Sequence, residues 1–208
     1  RMKEIEDGSV DMILTDPPYG TTACKWDSVI PFEPMWEQLK RIIKPNGAIA
    51  LFGAEPFSSS LRISNIKNFK EDIIWQKDRA SNFAQAKRRH MKIHEIISIF
   101  AYDSYTFNPQ KKPRKSNRVK QGQLNKNSVW RNNQSEEEYI SLSNEYKTHG
   151  FDKYDSSYKN PESIVVNPIV NPSSKEKKQG GHPTQKPVAL LEYLIKTYTN
   201  EGETALDF

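Results

Sequence analysis

The sequence has 208 residues, a net charge of +5 and a pI near 9.1, so its length suits one compact domain with an inserted module. The positive charge favours a polyanionic partner without identifying one. A single cysteine, Cys24, excludes an intrachain disulfide and a thiolate zinc cluster, and neither a signal peptide nor a membrane-spanning pattern is visible. We therefore expect a cytoplasmic protein without a membrane partner.

The first quarter of the sequence alternates strand and helix patterns. Val10 to Leu14 is an apolar run typical of a buried strand, and apolar residues then recur at helical spacing from Phe32 onward. Lys44-Pro45-Asn46-Gly47 ends this helix, and a second buried strand is predicted over Ala48 to Phe52. The order strand, helix, strand predicts parallel pairing and an α/β architecture.

Five further elements are predicted along the chain. A helix is predicted over Glu55 to Asn65, followed by strands over Glu71 to Gln76 and Glu95 to Phe100. We expect these two strands to form a terminal hairpin of the sheet. Helical periodicity returns over Pro187 to Thr199, and a last strand is predicted from Thr204.

Between about residues 104 and 180 the composition changes to Lys, Asn, Ser, Gln and Tyr, so the apolar core cannot continue through this segment. A dense basic run spans Lys111 to Lys120. Such a run alone is typical of a solvated linker, but aromatic and amide side chains such as Trp130 and Asn132 extend it. Residues of these types contact phosphates and read base edges.

Asp16-Pro17-Pro18-Tyr19 follows the first predicted strand after one residue, at the end where a parallel sheet carries its functional groups. The prolines restrict their own φ and keep the preceding residues extended, so the turn holds a carboxylate and an aromatic ring in a fixed relation. The tetrapeptide alone is also compatible with a surface turn. A second motif, His182-Pro183-Thr184-Gln185-Lys186-Pro187, enters the last predicted helix, with Thr184 as its capping residue.

The two motifs, in this order and with a basic segment between them, resemble the DNA amino-methyltransferases in their permuted beta arrangement. That family transfers a methyl group from S-adenosylmethionine to an exocyclic base nitrogen. The resemblance covers most of the chain and implies an α/β, Rossmann-like methyltransferase core with an inserted target-recognition region. We assign residues 1–103 to the catalytic half of the core, 104–180 to the basic insertion and 181–208 to the start of the cofactor-binding half.

The resemblance implies that the first motif is catalytic, through Asp16, Pro17, Pro18 and Tyr19. The Asp16 carboxylate and the Pro17 carbonyl accept hydrogen bonds from the target amino group, and Tyr19 stacks on a base flipped out of the duplex. Orienting the reactants contributes roughly 7–11 kcal/mol, whereas acid or base catalysis contributes on the order of 3–5 kcal/mol. Positioning therefore dominates, and no covalent intermediate is needed.

The resemblance also implies a cofactor pocket and a DNA surface. The cofactor residues are His182, Thr184, Gln185, Lys186, Asp207 and Phe208. The DNA-binding residues are Lys87, Arg88, Arg89, Lys111, Lys112, Arg114, Lys115 and Arg118. No partner stands at metal-ligand spacing from His182, so no metal is expected. The family's glycine-rich loop is expected after Phe208, so we interpret the chain as truncated and expect it to be inactive as given.

The expected substrate is double-stranded DNA, and Asp at the first motif position favours adenine N6 on family usage. Cytosine N4 remains an alternative, as does a non-catalytic DNA-binding fragment. Methylation of RNA or of protein glutamine is less favoured, because glutamine-modifying members carry Asn at that position and because the basic insertion suits DNA. A second copy of the chain and a cognate restriction endonuclease are the protein partners that the resemblance leaves open.

Overall fold

The computed structural model describes residues 2–22, 24, 27–81, 83–113, 157–170 and 185–208. The chain divides into two compact units, the first formed by Arg1–Gln110 with Glu162–Phe208 and the second by Lys111–Pro161. The second unit therefore covers a shorter segment of the sequence than the predicted insertion over residues 104–180. In its described part, a short antiparallel pair of strands joins Lys112 to Lys159.

The described residues form three α-helices and eight strands. The helices are α1 (Phe32–Ile42), α2 (Phe57–Ser64) and α3 (Val188–Tyr198). The strands are β1 (Val10–Thr15), β2 (Ile43–Gly53), β3 (Phe69–Ser81), β4 (Lys92–Phe100), β5 (Lys112–Pro113), β6 (Tyr158–Lys159), β7 (Ile164–Val166) and β8 (Ala205–Leu206).

Six strands form one mixed sheet in the order β7-β3-β4-β2-β1-β8. The pairs β1–β2, β1–β8 and β3–β7 are parallel, whereas β4 runs antiparallel to both β2 and β3. The predicted α/β class and the parallel pairing of the first two strands are confirmed. The predicted hairpin of β3 and β4 also forms, but its terminal position is wrong, since β7 continues the sheet beyond β3.

Strand β7 lies inside the segment that was predicted to be an insertion. Val165 is buried and pairs with Trp75 of β3, whereas its neighbours Ile164 and Val166 are exposed. Three residues in a polar context carry too short a pattern to predict a strand. Residues 104–110 of the predicted insertion likewise belong to the first unit, where the Asn108 amide donates to the Thr197 carbonyl over 2.7 Å.

Helices cover both faces of the sheet. Successive side chains of a strand point to opposite faces, so each strand contributes apolar residues to two separate cores. Met12 and Leu14 of β1 belong to the core that contains α3, and Ile13 belongs to the core that contains α1 and α2. The residues that the three helices contribute are Leu190, Leu194 and Tyr198 from α3, Met35, Trp36, Leu39 and Ile42 from α1, and Phe57 and Leu61 from α2. The result is a three-layer α/β architecture.

The break between α1 and β2 follows from Pro45. A proline disfavours helical geometry in the preceding residue, and α1 ends at Ile42 with Ile43 already extended. The strand accordingly begins at Ile43, earlier than the predicted Ala48, and its pairing with β1 shifts register between Val10 and Met12.

A buried carboxylate on β1 fixes the neighbouring strand β8. Asp11 accepts from Lys44 Nζ over 2.7 and 2.9 Å and from the Thr204 amide over 3.0 Å. Burial alone would raise the pKa of Asp11, but the hydrogen bonds and charge of Lys44 and the Thr204 amide outweigh it and lower that pKa. The segment that follows β8 is thereby held beside the segment that follows β1.

Candidate active site

A cavity of about 890 Å³ opens at the carboxyl ends of β1, β2, β3 and β8. This is the edge at which open α/β sheets bind ligands, and the volume lies within the range of small-molecule sites. Eight predicted site residues line it: Asp16, Pro17, Pro18, Tyr19, Gln185, Lys186, Asp207 and Phe208. The two sequence motifs and the end of β8 therefore meet around one cavity.

The Asp16 carboxylate joins the two motifs directly. One oxygen accepts a hydrogen bond from the Tyr19 hydroxyl, and the other accepts from Lys186 Nζ over 2.6 Å. The Asp16 side chain retains 29% of its exposure, so its carboxylate remains accessible from the cavity. A carboxylate offers about four acceptor positions, which leaves capacity for a donor on a ligand.

Tyr19 is anchored between its own motif and α2. Its ring stacks on Phe57 with centroids 5.2 Å apart and an interplanar angle of 28°. Burial raises the pKa of Tyr19 far above its usual value, and the charges of Asp16 and Glu95 raise it further. The phenol is therefore a neutral hydrogen-bond donor, and Asp16 is its acceptor.

The loop after Tyr19 is organised by a carboxylate that the sequence reasoning missed. Asp27 Oδ1 accepts from the amides of Tyr19 and Gly20 over 2.8 and 2.9 Å, and Oδ2 accepts from those of Thr21 and Thr22 over 2.9 and 2.7 Å. Burial alone would raise the pKa of Asp27, but hydrogen bonds from the Thr22 side chain and from the amides of residues 20–22 outweigh it and lower that pKa. Asp27 is the one acidic residue in the loop 20–27, and this could have identified it from the sequence as the acceptor for the loop's backbone amides.

Two further residues that were not predicted, Glu95 and Lys77, approach the second motif. Glu95 Oε2 lies 3.2 Å from Lys186 Nζ, and Lys77 donates to Glu95 Oε1. Burial alone would raise the pKa of Glu95, but the two lysines outweigh it and lower that pKa. Glu95 is thus an ionised carboxylate in the wall of the cavity.

Thr15, the last residue of β1, connects the first motif to the end of β8. Its buried hydroxyl contacts the Asp207 carboxylate and accepts from the Phe208 amide over 3.1 Å. Gln185, which also lines the cavity, has a buried Oε1 with no hydrogen-bond partner in the described part of the chain. The cavity therefore combines an anchored carboxylate with a free amide oxygen.

Helix α3 begins at Val188, and Pro187 occupies its N-cap position without a side-chain cap bond. The predicted capping role of Thr184 is therefore wrong, because the helix begins one turn later than a cap at Thr184 requires. Both His182 and Thr184 lie outside the described residues, so their assignment to a cofactor pocket stays a prediction.

The described basic residues of the predicted DNA surface do not line the cavity. Lys87, Arg88 and Arg89 are exposed in the turn between β3 and β4, and Lys111 and Lys112 are exposed in the second unit. The other three, Arg114, Lys115 and Arg118, lie outside the described residues. Their role in DNA binding stays a prediction.

Neither a metal site nor a spanning helix is present among the described residues. Three or more His, Cys, Asp or Glu side chains nowhere cluster there in a way that could hold a metal ion. None of the helices in that part of the chain is long and apolar enough to cross a membrane.

Comparison with known proteins identifies a family over nearly the whole chain. The model of a family described as DNA methylase, of the N6 and N4 type, matches residues 10–208. The chain is 27% identical over 220 residues to the type II methyltransferase M.HpaI of Haemophilus parainfluenzae, and this match covers 99% of the chain and 59% of the relative.

Two further matches extend this result. The chain is 28% identical over 221 residues to the DNA adenine methyltransferase YhdJ of Escherichia coli, covering 99% of the chain and 66% of that relative. The chain thus spans roughly three fifths to two thirds of the length of these curated relatives. The solved structure of an M1.HpyAVI–SAM complex aligns with a TM-score of 0.51 at 22% identity, covering 96% of the chain and 72% of that structure. This likeness shows a shared fold.

Proposed function

Since the chain belongs to the DNA methylase family of the adenine-N6 and cytosine-N4 type, we propose that the protein transfers a methyl group from S-adenosylmethionine to an exocyclic amino group of double-stranded DNA. The meeting of Asp16, Tyr19 and Lys186 at one cavity carries this proposal. We favour adenine N6 as the acceptor, because Asp stands at the first motif position and the Escherichia coli relative is named an adenine methyltransferase.

The cavity suits the methyl donor. Asp207 and Phe208 would hold it from the end of β8, and the free Oε1 of Gln185 offers an acceptor for one of its polar groups. His182 and Thr184 are further candidates from the second motif. When bound, S-adenosylmethionine would supply the electrophilic methyl group that is transferred.

The residues of the first motif would prepare the target nitrogen. Delocalisation into the base ring makes its lone pair a weak nucleophile, so hydrogen bonds from the amino group to Asp16 and to the Pro17 carbonyl would draw the nitrogen toward a tetrahedral shape. Pro18 keeps Pro17 extended and thereby orients that carbonyl. Tyr19 would pack against the flipped base, and stacking contributes about 1–3 kcal/mol per base.

DNA affinity would come from two groups of basic side chains. Lys87, Arg88 and Arg89 form an exposed turn in the first unit, and Lys111 and Lys112 begin the second unit together with Arg114, Lys115 and Arg118. Their charges would neutralise phosphates and position the duplex without specifying its sequence.

Replacement of the carboxylate tests the catalytic assignment. In the full-length protein, Asp16→Ala should reduce methyl transfer to labelled duplex by at least about 10²-fold, since an oriented group aimed at the reacting atom contributes that much. DNA affinity in a gel-shift assay should stay within severalfold, because phosphate contacts carry it. Turnover retained by Asp16→Ala would remove Asp16 from the mechanism.

Cofactor binding separates this proposal from a non-catalytic DNA-binding protein. Calorimetric titration with S-adenosylmethionine should give saturable binding by the full-length protein. DNA binding without any cofactor binding would favour the non-catalytic alternative.

A further inference from the structure

Four charged side chains of alternating sign run from β3 to the first motif. Lys77 of β3 donates to Glu95 of β4, Glu95 lies 3.2 Å from Lys186 Nζ, and Lys186 donates to Asp16 over 2.6 Å. Lys186 is the only one of the four that contacts two carboxylates. It stands between a residue of the proposed catalytic motif and a residue to which no role has been assigned.

Three of the four side chains in this row are largely removed from water. The side chains of Lys186, Lys77 and Glu95 are 10%, 13% and 16% exposed, whereas the Glu192–Lys196 pair on α3 is more than half exposed on both sides. Charges at such sites are costly unless paired, and an apolar pair of similar volume often serves stability equally well. The burial of three charges beside the cavity therefore indicates a role other than stability.

The surroundings of Lys186 leave its ammonium little freedom. The nitrogen lies 5.1 Å from the centroid of the Phe52 ring and 5.9 Å from that of Tyr19, so aromatic rings limit two directions. Asp16 accepts a hydrogen bond from this ammonium, whereas Glu95 Oε2 makes no hydrogen bond and attracts the ammonium through its charge at 3.2 Å. Without the Glu95 charge, Asp16 would be the sole anionic partner that the ammonium contacts among the described residues, and the ion pair would be free to reorient.

We propose that Glu95, held by Lys77, is a positioning residue for methyl transfer. It fixes the Lys186 ammonium, and this ammonium holds one oxygen of Asp16 while the Tyr19 hydroxyl holds the other. The carboxylate plane is then set for the incoming amino group. The inference rests on the proposed function, because it concerns the orientation of Asp16 toward that group.

The test is Glu95→Gln in the full-length protein, which keeps the shape of the side chain and removes its charge. Because small misplacements at a reacting centre can cost up to about 10²-fold, we expect kcat to fall at least tenfold. The dissociation constants of S-adenosylmethionine and of duplex DNA should stay within about twofold of the wild type. The matched control is Glu192→Gln, which removes the carboxylate of the exposed pair on α3 and should leave kcat unchanged.

A double-mutant cycle separates positioning from a general structural effect. Lys186→Met should lower kcat, and Glu95→Gln should lower it less than about twofold further in that background, because residues that act through one contact are not additive. Full additivity of the two losses would overturn the proposal. If Glu95→Gln does not fold, the proposal is tested with Lys77→Met, which removes the hydrogen bond that Lys77 donates to Glu95. This variant should lower kcat and leave the affinity for the cofactor unchanged.

The outcomes distinguish this inference from the function on which it rests. A wild-type protein that transfers no methyl group to DNA overturns both. An active wild type with a normal kcat for Glu95→Gln, or for Lys77→Met where that variant decides, overturns the positioning role alone. A loss confined to cofactor affinity would assign Glu95 to the cofactor pocket and likewise overturn it.

Discussion

Replacement of Asp27 by Asn should loosen the loop that follows the first motif. The carboxylate accepts four backbone amides, two on each oxygen, from Tyr19, Gly20, Thr21 and Thr22. Asn retains one acceptor oxygen, so two of these amides lose their partner. Hydrogen bonds to a charged group contribute about 1.5–3 kcal/mol each, which gives a gross loss of about 3–6 kcal/mol.

Water reduces this loss. Thr21 and Thr22 are exposed, so their amides can be hydrated once released, and a net loss of roughly 2–4 kcal/mol is expected. This is a large part of the roughly 5–15 kcal/mol by which domains are stable. The loss should be concentrated in the loop, because Asp27 accepts hydrogen bonds from the residues just before it.

Amide hydrogen exchange measures the effect where it should occur. In Asp27→Asn, the segment 19–22 should lose protection, and urea denaturation should report a lower free energy of unfolding. The control is Asp103→Asn, an exposed carboxylate that accepts the single Ser104 amide, and it should change neither quantity. Unchanged exchange of residues 19–22 in Asp27→Asn would refute the claim that this carboxylate holds the loop.

Three other perturbations have defined outcomes. The pKa of Asp11 is lowered in the folded state, so the ionised carboxylate stabilises the fold above about pH 4 and this contribution is lost as the pH falls through the folded pKa. The difference in free energy of unfolding between the wild type and Asp11→Asn should therefore disappear in acid. A difference that does not change with pH would contradict this. Thr15→Val keeps the shape of a buried side chain but removes its hydrogen bonds with Asp207 and the Phe208 amide. Calorimetry should therefore show severalfold weaker binding of S-adenosylmethionine. Equal affinity would show that Thr15 does not contribute to the cofactor pocket. Replacing the three basic residues 87–89 by Gln should reduce the slope of log affinity for DNA against log salt by about 0.9 for each phosphate that the variant no longer neutralises, and an unchanged slope would exclude this turn from the DNA surface.

Local patterns were sufficient for most of the fold. Apolar runs and helical periodicity predicted β1, α1, β2, α2 and α3, because each carries enough apolar residues for its period to be recognised. Strand β7 was missed since only Val165 of its three residues is buried. Its pairing with β3 depends on an interaction between distant parts of the chain, which no local pattern records.

The residues of the candidate site likewise include some that local motifs predicted and others that only the structure reveals. Asp16 and Tyr19 were predicted from four consecutive residues, and Lys186 was assigned to a cofactor pocket from a resemblance of two whole motifs. The contact between Lys186 and Asp16 is known only from the structure. Glu95 and Lys77 carry no signal of their own in the sequence, because an acidic or basic residue within a strand is usually placed on a solvated face. Their significance arises only when β3 and β4 pair and bring them to Lys186.

Sequencing that detects modified bases tests the central claim most directly. DNA would be taken from otherwise unmethylated cells that express the full-length protein or its Asp16→Ala variant. The wild type should produce N6-methyladenine within a defined sequence context, and the Asp16→Ala variant should produce far less at the same sites. N4-methylcytosine instead would show that the target base is cytosine, with the same amino-group methylation. DNA without any amino-methylated base in cells that express the wild type would contradict the proposed function.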